Sequence, residues 1–452
     1  MLGNFISKIF VLVIAVLAFV YITRMSLYPY DVNSDYHYNF ADKNAITSEL
    51  EMKNGVISFV SPLKSNQTSF LKIVVKGSMV SHFLNPSLTV SNKTASEKQF
   101  FEHGASGIRY INVTNLINGG ENLLSLEGKN LIFANGKVDL VQFENVSMEG
   151  KRVLVLAPHP DDAEIGAFGL YNKHDEVFVV TVTAGDAGGF MYDEIYEDRK
   201  KHYLKKGEVR TWNSLSVPHL GGVVPDRTVN LGFFDATIKA MATNKSLEAE
   251  SLYIGSADIN LFRKQNVSPL ANGLTGISNW PSLVDNLAYI VNEIKPDIIV
   301  TPSPQLDNHS DHQYVTHALV EAMKKIDKRD GHLFLYTNHF ILNEPWPYGD
   351  AGSVRSLPPS PEERHHFSSV YSHPLTKEEQ QSKEIALDAM NDLRLGTDHR
   401  YIYHSFKSAI LALWEEIKGN NQLYFRRAVR SNELFFVIKT EEIYQEGVPE
   451  RL

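Results

Sequence analysis

Apolar residues fall along this chain in three successive patterns. Ile9 to Ile22 is an unbroken apolar run, preceded by Lys8 and followed by Thr23 and Arg24. With Phe5, Ile6 and its flanks it approaches the ~20 residues that a spanning helix needs. No small-x-small cleavage site follows, so an uncleaved signal anchor over 1–27 is expected before a cleaved signal peptide or a buried core helix. One Lys before the run, and one Arg then several acids after it, favour the amino terminus inside and the body outside. Residues 28–48 are polar and tyrosine-rich without clear periodicity, and read as a tether.

From 49 to 148 the signals are all β. Val56–Val60, Leu71–Val75, Ser87–Val90, Tyr110–Val113, Asn122–Leu126 and Val138–Val141 are short strands separated by Gly, Asn and Ser turns. Such spacing predicts a β-sandwich. The stretch Gly119–Gly128 resembles jelly-roll carbohydrate-binding modules. A spacer domain without a ligand is the alternative.

After 149 the period changes. Val153–Ala157, Val177–Thr183, Val229–Asp235, Asp297–Thr301, Leu333–Tyr336 and Glu433–Ile438 read as strands. Helical patterns lie between and after them at Ala163–Lys173, Arg199–Leu215, Pro281–Glu293, Tyr314–Met323, Lys377–Leu393 and Tyr403–Ile417. Strands alternating with helices predict an α/β domain with a mainly parallel sheet over 149–452. Residues 241–280 look like an inserted polar excursion. The Pro-, Ser- and Gly-rich stretch 345–366 reads as a lid or binding loop.

Composition narrows the classes. The chain has 452 residues, 43% of them hydrophobic, enough for two or three domains with a sizeable core. Its net charge of -9, with no basic tract, makes nucleic acid an unsuitable partner. It has no cysteine, which excludes disulfides, thiolate metal sites and cysteine nucleophiles.

The candidate chemistry sits after two strands. Val153–Ala157 leads into Pro158-His159-Pro160-Asp161-Asp162-Ala163-Glu164, and Asp297–Thr301 leads into Asp307-Asn308-His309-Ser310-Asp311-His312. Ligands of open α/β sheets bind at the carboxyl ends of strands. Ionisable groups clustered there are costly to bury unless they hold something. His159, Asp162 and His312 make a two-His, one-carboxylate set suited to catalytic Zn2+ or another divalent ion. Asp186, in the glycine-rich loop after the second strand, is expected at the pocket wall as a substrate contact or part of a simple turn. Asp235 is expected to contact substrate hydroxyls or cap the next helix. Glu164 is expected to stabilise the start of its helix through the dipole. His365 and His366 read as solvated; His399 and His404 have no motif around them.

These paired motifs resemble the PIG-L/LmbE-like zinc N-deacetylases, which remove acetyl groups from N-acetylglucosamine-type sugars. The resemblance covers about Lys151 to Met323. It implies a Rossmann-like three-layer αβα domain, with His159, Asp162 and His312 as zinc ligands, Asp161 as general base and His309 as an oxyanion stabiliser. Asp161 and Asp162 are adjacent, but consecutive loop side chains can point apart, so one can bind metal while the other takes a proton. A protonated His309 could donate to the oxyanion, with Asp311 or Asp307 holding it charged. Ser310 stands where the family usually has Pro, and the family's helix after the second strand is matched only loosely around Lys206–Arg210. The expectation is a membrane-anchored, zinc-dependent N-deacetylase acting on a glycolipid or polysaccharide outside the cytoplasmic membrane. The rivals are a zinc amidase on a thiol-sugar or other small conjugate, and an anchored glycan-binding protein with a non-catalytic metal site.

Overall fold

The computed structural model describes residues 2–40, 43–62, 66–172, 174–189, 192, 195–362, 365–393 and 427–452. The expected helix Tyr403–Ile417, with His399 and His404, lies outside the described residues. The chain divides into two compact units. One comprises Met1–Glu144, Leu342–Gly349 and Ser353–Glu363; the other comprises Asn145–Ile341, Asp350–Gly352 and Arg364–Leu452.

The first unit opens with helix α1 (Leu2–Met25). Its segment Ile6–Met25 is long and apolar enough to cross a membrane, and none of it is buried. Nine strands follow: β1 (Ala45–Lys53), β2 (Val56–Val60), β3 (Gln67–Gly77), β4 (Ser87–Ser91), β5 (Ser96–Phe100), β6 (Ser106–Asn112), β7 (Glu121–Lys129), β8 (Leu131–Phe133) and β9 (Gly136–Glu144). They form one antiparallel sheet in the order β5-β4-β7-β2-β1-β9-β3-β6, with β8 on β3. Strand β7 shows the alternation: Glu121, Leu123, Ser125 and Glu127 face out, and Asn122, Leu124 and Leu126 face in. Leu124 and Leu126 join Ile57, Leu71, Ile73, Leu88, Val90 and Leu140 in one apolar core. The β1–β2 hairpin closes over Asn54 and Gly55, both at positive φ. That two-residue turn suits the strand twist, and a Cβ on Gly55 would lie 2.9 Å from the Leu126 carbonyl.

Two expectations are corrected in this unit. The stretch read as a tether is packed down: Val32, Tyr36 and Tyr38 are buried. Buried Arg109 donates to the Val32 and Ser34 carbonyls at 2.6 and 2.9 Å. The stretch read as a lid is likewise anchored to the sheet. Asn112 donates to the Arg355 carbonyl at 2.9 Å, Tyr38 to that of Pro358 at 2.7 Å, and Ser356 to that of Tyr110 at 2.7 Å. The Val354 N–H also donates to the Lys98 carbonyl of β5 at 3.0 Å, so backbone groups of loop and sheet satisfy one another.

The second unit contains β10 (Val153–Ala157), α2 (Asp162–Tyr171), β11 (Val177–Thr183), α3 (Arg199–Ser216) and β12 (Thr228–Phe233). Then come α4 (Ile238–Thr243), α5 (Asn260–Arg263), α6 (Trp280–Ile294), β13 (Ile298–Pro302) and α7 (Ser310–Lys325). It closes with β14 (His332–Tyr336), β15 (Ser369–Pro374), α8 (Lys377–Ala389) and β16 (Asn432–Lys439). The sheet order is β12-β11-β10-β13-β14-β16-β15. Strands β10 to β14 are parallel; β16 runs antiparallel to both β14 and β15. From β10 the chain steps outward through β11 and β12, then returns to β13 and steps the other way. The order therefore reverses between β10 and β13, and a crevice opens outside their carboxyl ends. Helix α2 lies tight on the sheet because Gly166 has no Cβ; one there would come within 2.8 Å of the Tyr336 ring.

Candidate metal centre

The residues expected to bind metal, act as base or oxyanion donor, or line the pocket emerge from the carboxyl ends of the parallel strands. The β10 loop carries His159, Asp161 and Asp162. The β13 loop carries Asp307, His309, Asp311 and His312. The loops after β11 and β12 bring Asp186 and Asp235, and that after β14 brings Asn338.

Three donor atoms converge between the two central loops. His159 Nδ1 lies 3.2 Å from Asp162 Oδ2 and 3.2 Å from His312 Nε2, and His312 Nε2 lies 3.1 Å from Asp162 Oδ2. The far nitrogens of both rings face carboxylates. His312 Nδ1 is 3.0 Å from Asp307 Oδ2. His159 Nε2 is 3.2 Å from both Asp235 Oδ1 and Asp311 Oδ2. A carboxylate fixes the N–H on the nitrogen it faces, which leaves the other nitrogen a bare lone pair. Two imidazole lone pairs and a carboxylate oxygen then point at one another, an unfavourable arrangement unless a proton or a metal ion lies between them. The spacing fits: a tetrahedral ion at about 2.0 Å from each donor needs donors about 3.3 Å apart.

Other groupings could also hold a metal ion. His159, His309 and His312 bring one nitrogen each within 4.8 Å of the others, as do His159, Asp235 and Asp311 with one donor atom each. In the latter the two carboxylates face the ring nitrogen whose proton they would hold.

The rest of the loops lock this triangle. Asp162 Oδ2 accepts the His159 backbone N–H at 2.8 Å, and its Oδ1 accepts from Asn338 Nδ2 at 2.8 Å. Asp307 accepts the N–H groups of His309, Asn338 and His339 at 3.0, 2.9 and 3.2 Å. Asp311 Oδ2 accepts the Ala236 N–H at 2.7 Å. Burial pulls the His312 ring down, but the Asp162 and Asp307 carboxylates outweigh it and raise it to about 10. Burial raises the Asp162 carboxyl, but His312 and His159 hold it well below the usual range.

Asp161 pairs with Arg210 instead of joining the triangle, and has a backbone φ of +123° that few non-glycine residues adopt. Its Oδ2 lies 3.1 Å from Arg210 Nη2. Burial pushes its carboxyl up to about 6, with Arg210 pulling the other way. Arg210 also donates to the Pro160 carbonyl at 2.6 Å and pairs with Asp392 at 3.0 Å.

His309 differs from the expectation of an imidazolium held by Asp311 or Asp307. The Asp311 side chain faces His159 and the Asp307 side chain faces His312. His309 Nδ1 instead accepts the Asp311 backbone N–H at 3.3 Å, so the ring proton sits on Nε2. Burial, then the His159 and His312 charges, push the ring down to about 4, and it is neutral at pH 7. Further readings change. Asp235 faces His159 rather than capping α4, where the Thr237 side chain makes no cap bond either. Burial pushes Glu164 up to about 8, and Tyr171 donates to it at 3.0 Å, so it brings no charge to the α2 dipole at neutral pH. Asp186 is fully buried, accepting the Asp235 N–H at 2.9 Å and the Ser251 hydroxyl at 2.5 Å. It braces the β12 loop. His365 is buried against the Phe436 ring, and His366 pairs with Glu442 at 2.7 Å, so neither is merely solvated.

Sequence reasoning passed over Asp392 and Ser251 and left Arg210 and Asn338 without roles. For Arg210 a signal exists: His202, Lys206 and Arg210 recur every four residues on the buried side of α3, an unusual face to bury without partners. Asp392 and Ser251 stand in stretches with no motif.

Residues 154–323 match the family model described as PIG-L, GlcNAc-PI de-N-acetylase. The second unit thus contains a PIG-L family domain, which covers both motif loops. No curated protein matches the chain. Among solved structures it is similar to the A40926 pseudoaglycone deacetylase and to the zinc-inhibited form of the teicoplanin deacetylase. Each is 15% identical over 64% of this chain and 98% of that one, with TM-score 0.33. It is equally similar to the 4-carboxy-2-hydroxymuconate hydratase of Pseudomonas putida KT2440, 13% identical over 64% and 95%, with TM-score 0.32. Deacetylases and a hydratase stand at one distance, too remote to bear on the reaction.

Proposed function

We propose that the protein is a membrane-anchored, zinc-dependent N-deacetylase that hydrolyses the acetamide of an N-acetylated amino sugar in a glycolipid or polysaccharide. The observation that carries this reading is the triangle of His159 Nδ1, Asp162 Oδ2 and His312 Nε2, with edges of 3.1 to 3.2 Å. The family model on the same loops supports the bond and the sugar.

His159, Asp162 and His312 would hold the ion, and Asp235, Asp311 and Asp307 would fix the two rings from behind. A divalent ion there supplies Lewis acidity, which polarises a carbonyl oxygen and makes water more acidic. Asp161 takes the proton of the attacking water as general base; it is partly exposed, and Arg210 orients it. His309 donates its Nε2–H to the oxyanion as a neutral imidazole, and a charge on the neighbouring donors or an ion between them keeps it neutral. The proton held by Asp161 then passes to the leaving amine. Helix α1 anchors the chain with its amino terminus inside and the catalytic unit outside, and the antiparallel sheet forms a jelly-roll-like sandwich.

The test is amine release from a panel of N-acetylated glycans by the full chain in detergent, with and without added zinc, beside Asp161→Asn. Zinc-dependent release that the variant lacks is expected. No release from any glycan by folded, metal-loaded protein would overturn the sugar assignment, and full activity of Asp161→Asn would overturn the base.

A further inference from the structure

We propose that the turn Met79–Leu84 is a second membrane contact, an apolar wedge seated in the lipid interface beside the end of α1. The inference rests on the reading of α1 as a membrane anchor and adds to it a lipid-facing edge of the folded unit.

Three observations meet at this turn. First, its side chains are apolar and bare: Met79 is 87% exposed, Val80 49% and Leu84 55%. Apolar side chains so close together on a folded surface mark an interaction site. Second, the turn lies against the last turns of α1. The His82 ring packs on the Tyr21 ring with centroids 5.4 Å apart, and Arg24 donates to the Phe83 carbonyl. Ile6–Met25 has 20 residues, about 30 Å of helix, the thickness of a hydrocarbon core. Tyr21 sits four residues before Met25, about 6 Å inside that end. Whatever packs on Tyr21 therefore lies at interface depth, where tyrosines gather.

Third, the chain after α1 leaves the unit no freedom to swing away. Only Ser26 and Leu27 separate Met25 from Tyr28, whose hydroxyl accepts the His103 N–H at 3.1 Å. Tyr30 and Tyr36 donate to buried Glu102 at 3.1 and 2.5 Å. Arg109 pairs with the same carboxylate at 3.5 Å. A loose tether would let the turn face water; this one holds it at one depth. The occupant that fits is a lipid surface, because it already surrounds the helix the turn touches.

The absence of cysteine allows unique labels. Met79→Cys, Leu84→Cys, Leu12→Cys and Glu121→Cys would each carry an environment-sensitive fluorophore on the full chain in phosphatidylcholine–phosphatidylglycerol vesicles. Glu121 is exposed at the other end of β7 from Lys129, about 27 Å along the strand. Lys129 pairs with Ser87, just past the turn. Brominated lipid chains should quench positions 79 and 84 several-fold more than position 121, and comparably to position 12. Position 12 quenched while 79 and 84 behave like 121 would overturn the wedge and leave the anchor standing. Position 12 unquenched would overturn the anchor and the wedge with it. Positions 79 and 84 shielded from both lipid and aqueous quenchers would assign the turn to a protein partner instead. All four sites are exposed, so folding is retained and circular dichroism checks it.

Discussion

Asp186→Asn should make the second unit more stable at neutral and alkaline pH. The carboxyl is fully buried, and burial first, with the Asp235 charge adding to it, raises it from 3.8 to about 6. The Ser251 hydroxyl and the Asp235 N–H pull the other way without cancelling the shift. As pH rises, the unfolded chain releases this proton before the folded one does. Its contribution to stability is thus present in full below about 4 and lost as pH passes through about 6. A difference of about two units at 1.36 kcal/mol each makes the ionised side chain cost about 3 kcal/mol above pH 7. Asparagine has the same shape. Its Oδ1 can accept the Asp235 N–H, and its Nδ2 can donate to the Ser251 oxygen, so the neutral pair is kept. Urea unfolding of both proteins at pH 4, 6 and 8 checks this. The variant should match the parent at pH 4 and exceed it by about 3 kcal/mol at pH 8. A variant no more stable than the parent at pH 8 would refute the reasoning, since the buried carboxylate would then cost nothing.

Other outcomes follow from the same geometry. Asp161→Asn should retain its metal while losing about 10²- to 10⁴-fold in turnover, read by metal analysis and amine release on one preparation. Asp307→Asn unseats the His312 Nδ1 proton and should weaken metal affinity about 10- to 100-fold in a chelator competition. Glu102→Gln leaves Arg109 buried without its counter-charge and should destabilise the first unit by about 3–5 kcal/mol in a denaturant titration. An unchanged midpoint would show that the Tyr30 and Tyr36 hydroxyls and backbone carbonyls suffice to hold Arg109.

The parallel core strands were legible because they are short, apolar and bounded by turn residues. Val153–Ala157, Val177–Thr183 and the strand before Asp307 stand where the hydrophobic runs place them. Strands with little apolar content were not. β1 reads Ala-Ile-Thr-Ser-Glu-Leu-Glu-Met-Lys and buries only Met52 fully; β5, Ser-Glu-Lys-Gln-Phe, is a largely polar edge strand. Their backbone pairing, rather than their side chains, keeps them in the sheet. Of the site, the residue types and the loops that carry them were visible, because chemistry-bearing side chains cluster at strand ends. What each side chain faces was not. Asp311 turns to His159 and Asp307 to His312 because the β12 and β14 loops supply the N–H groups of Ala236 and Asn338, which spacing within the β13 loop cannot reveal. Residues 28–40 and 345–362 looked unstructured for a related reason: their partners lie in strands far along the chain.

The most direct measurement is the metal content and first coordination shell of the purified full chain, by elemental analysis and X-ray absorption. The account predicts one divalent ion per chain, with two imidazole nitrogens and one carboxylate oxygen at about 2.0–2.2 Å, and its loss in His312→Ala. Folded protein that takes up no ion after incubation with zinc, or one that binds equally well without His312, would contradict it.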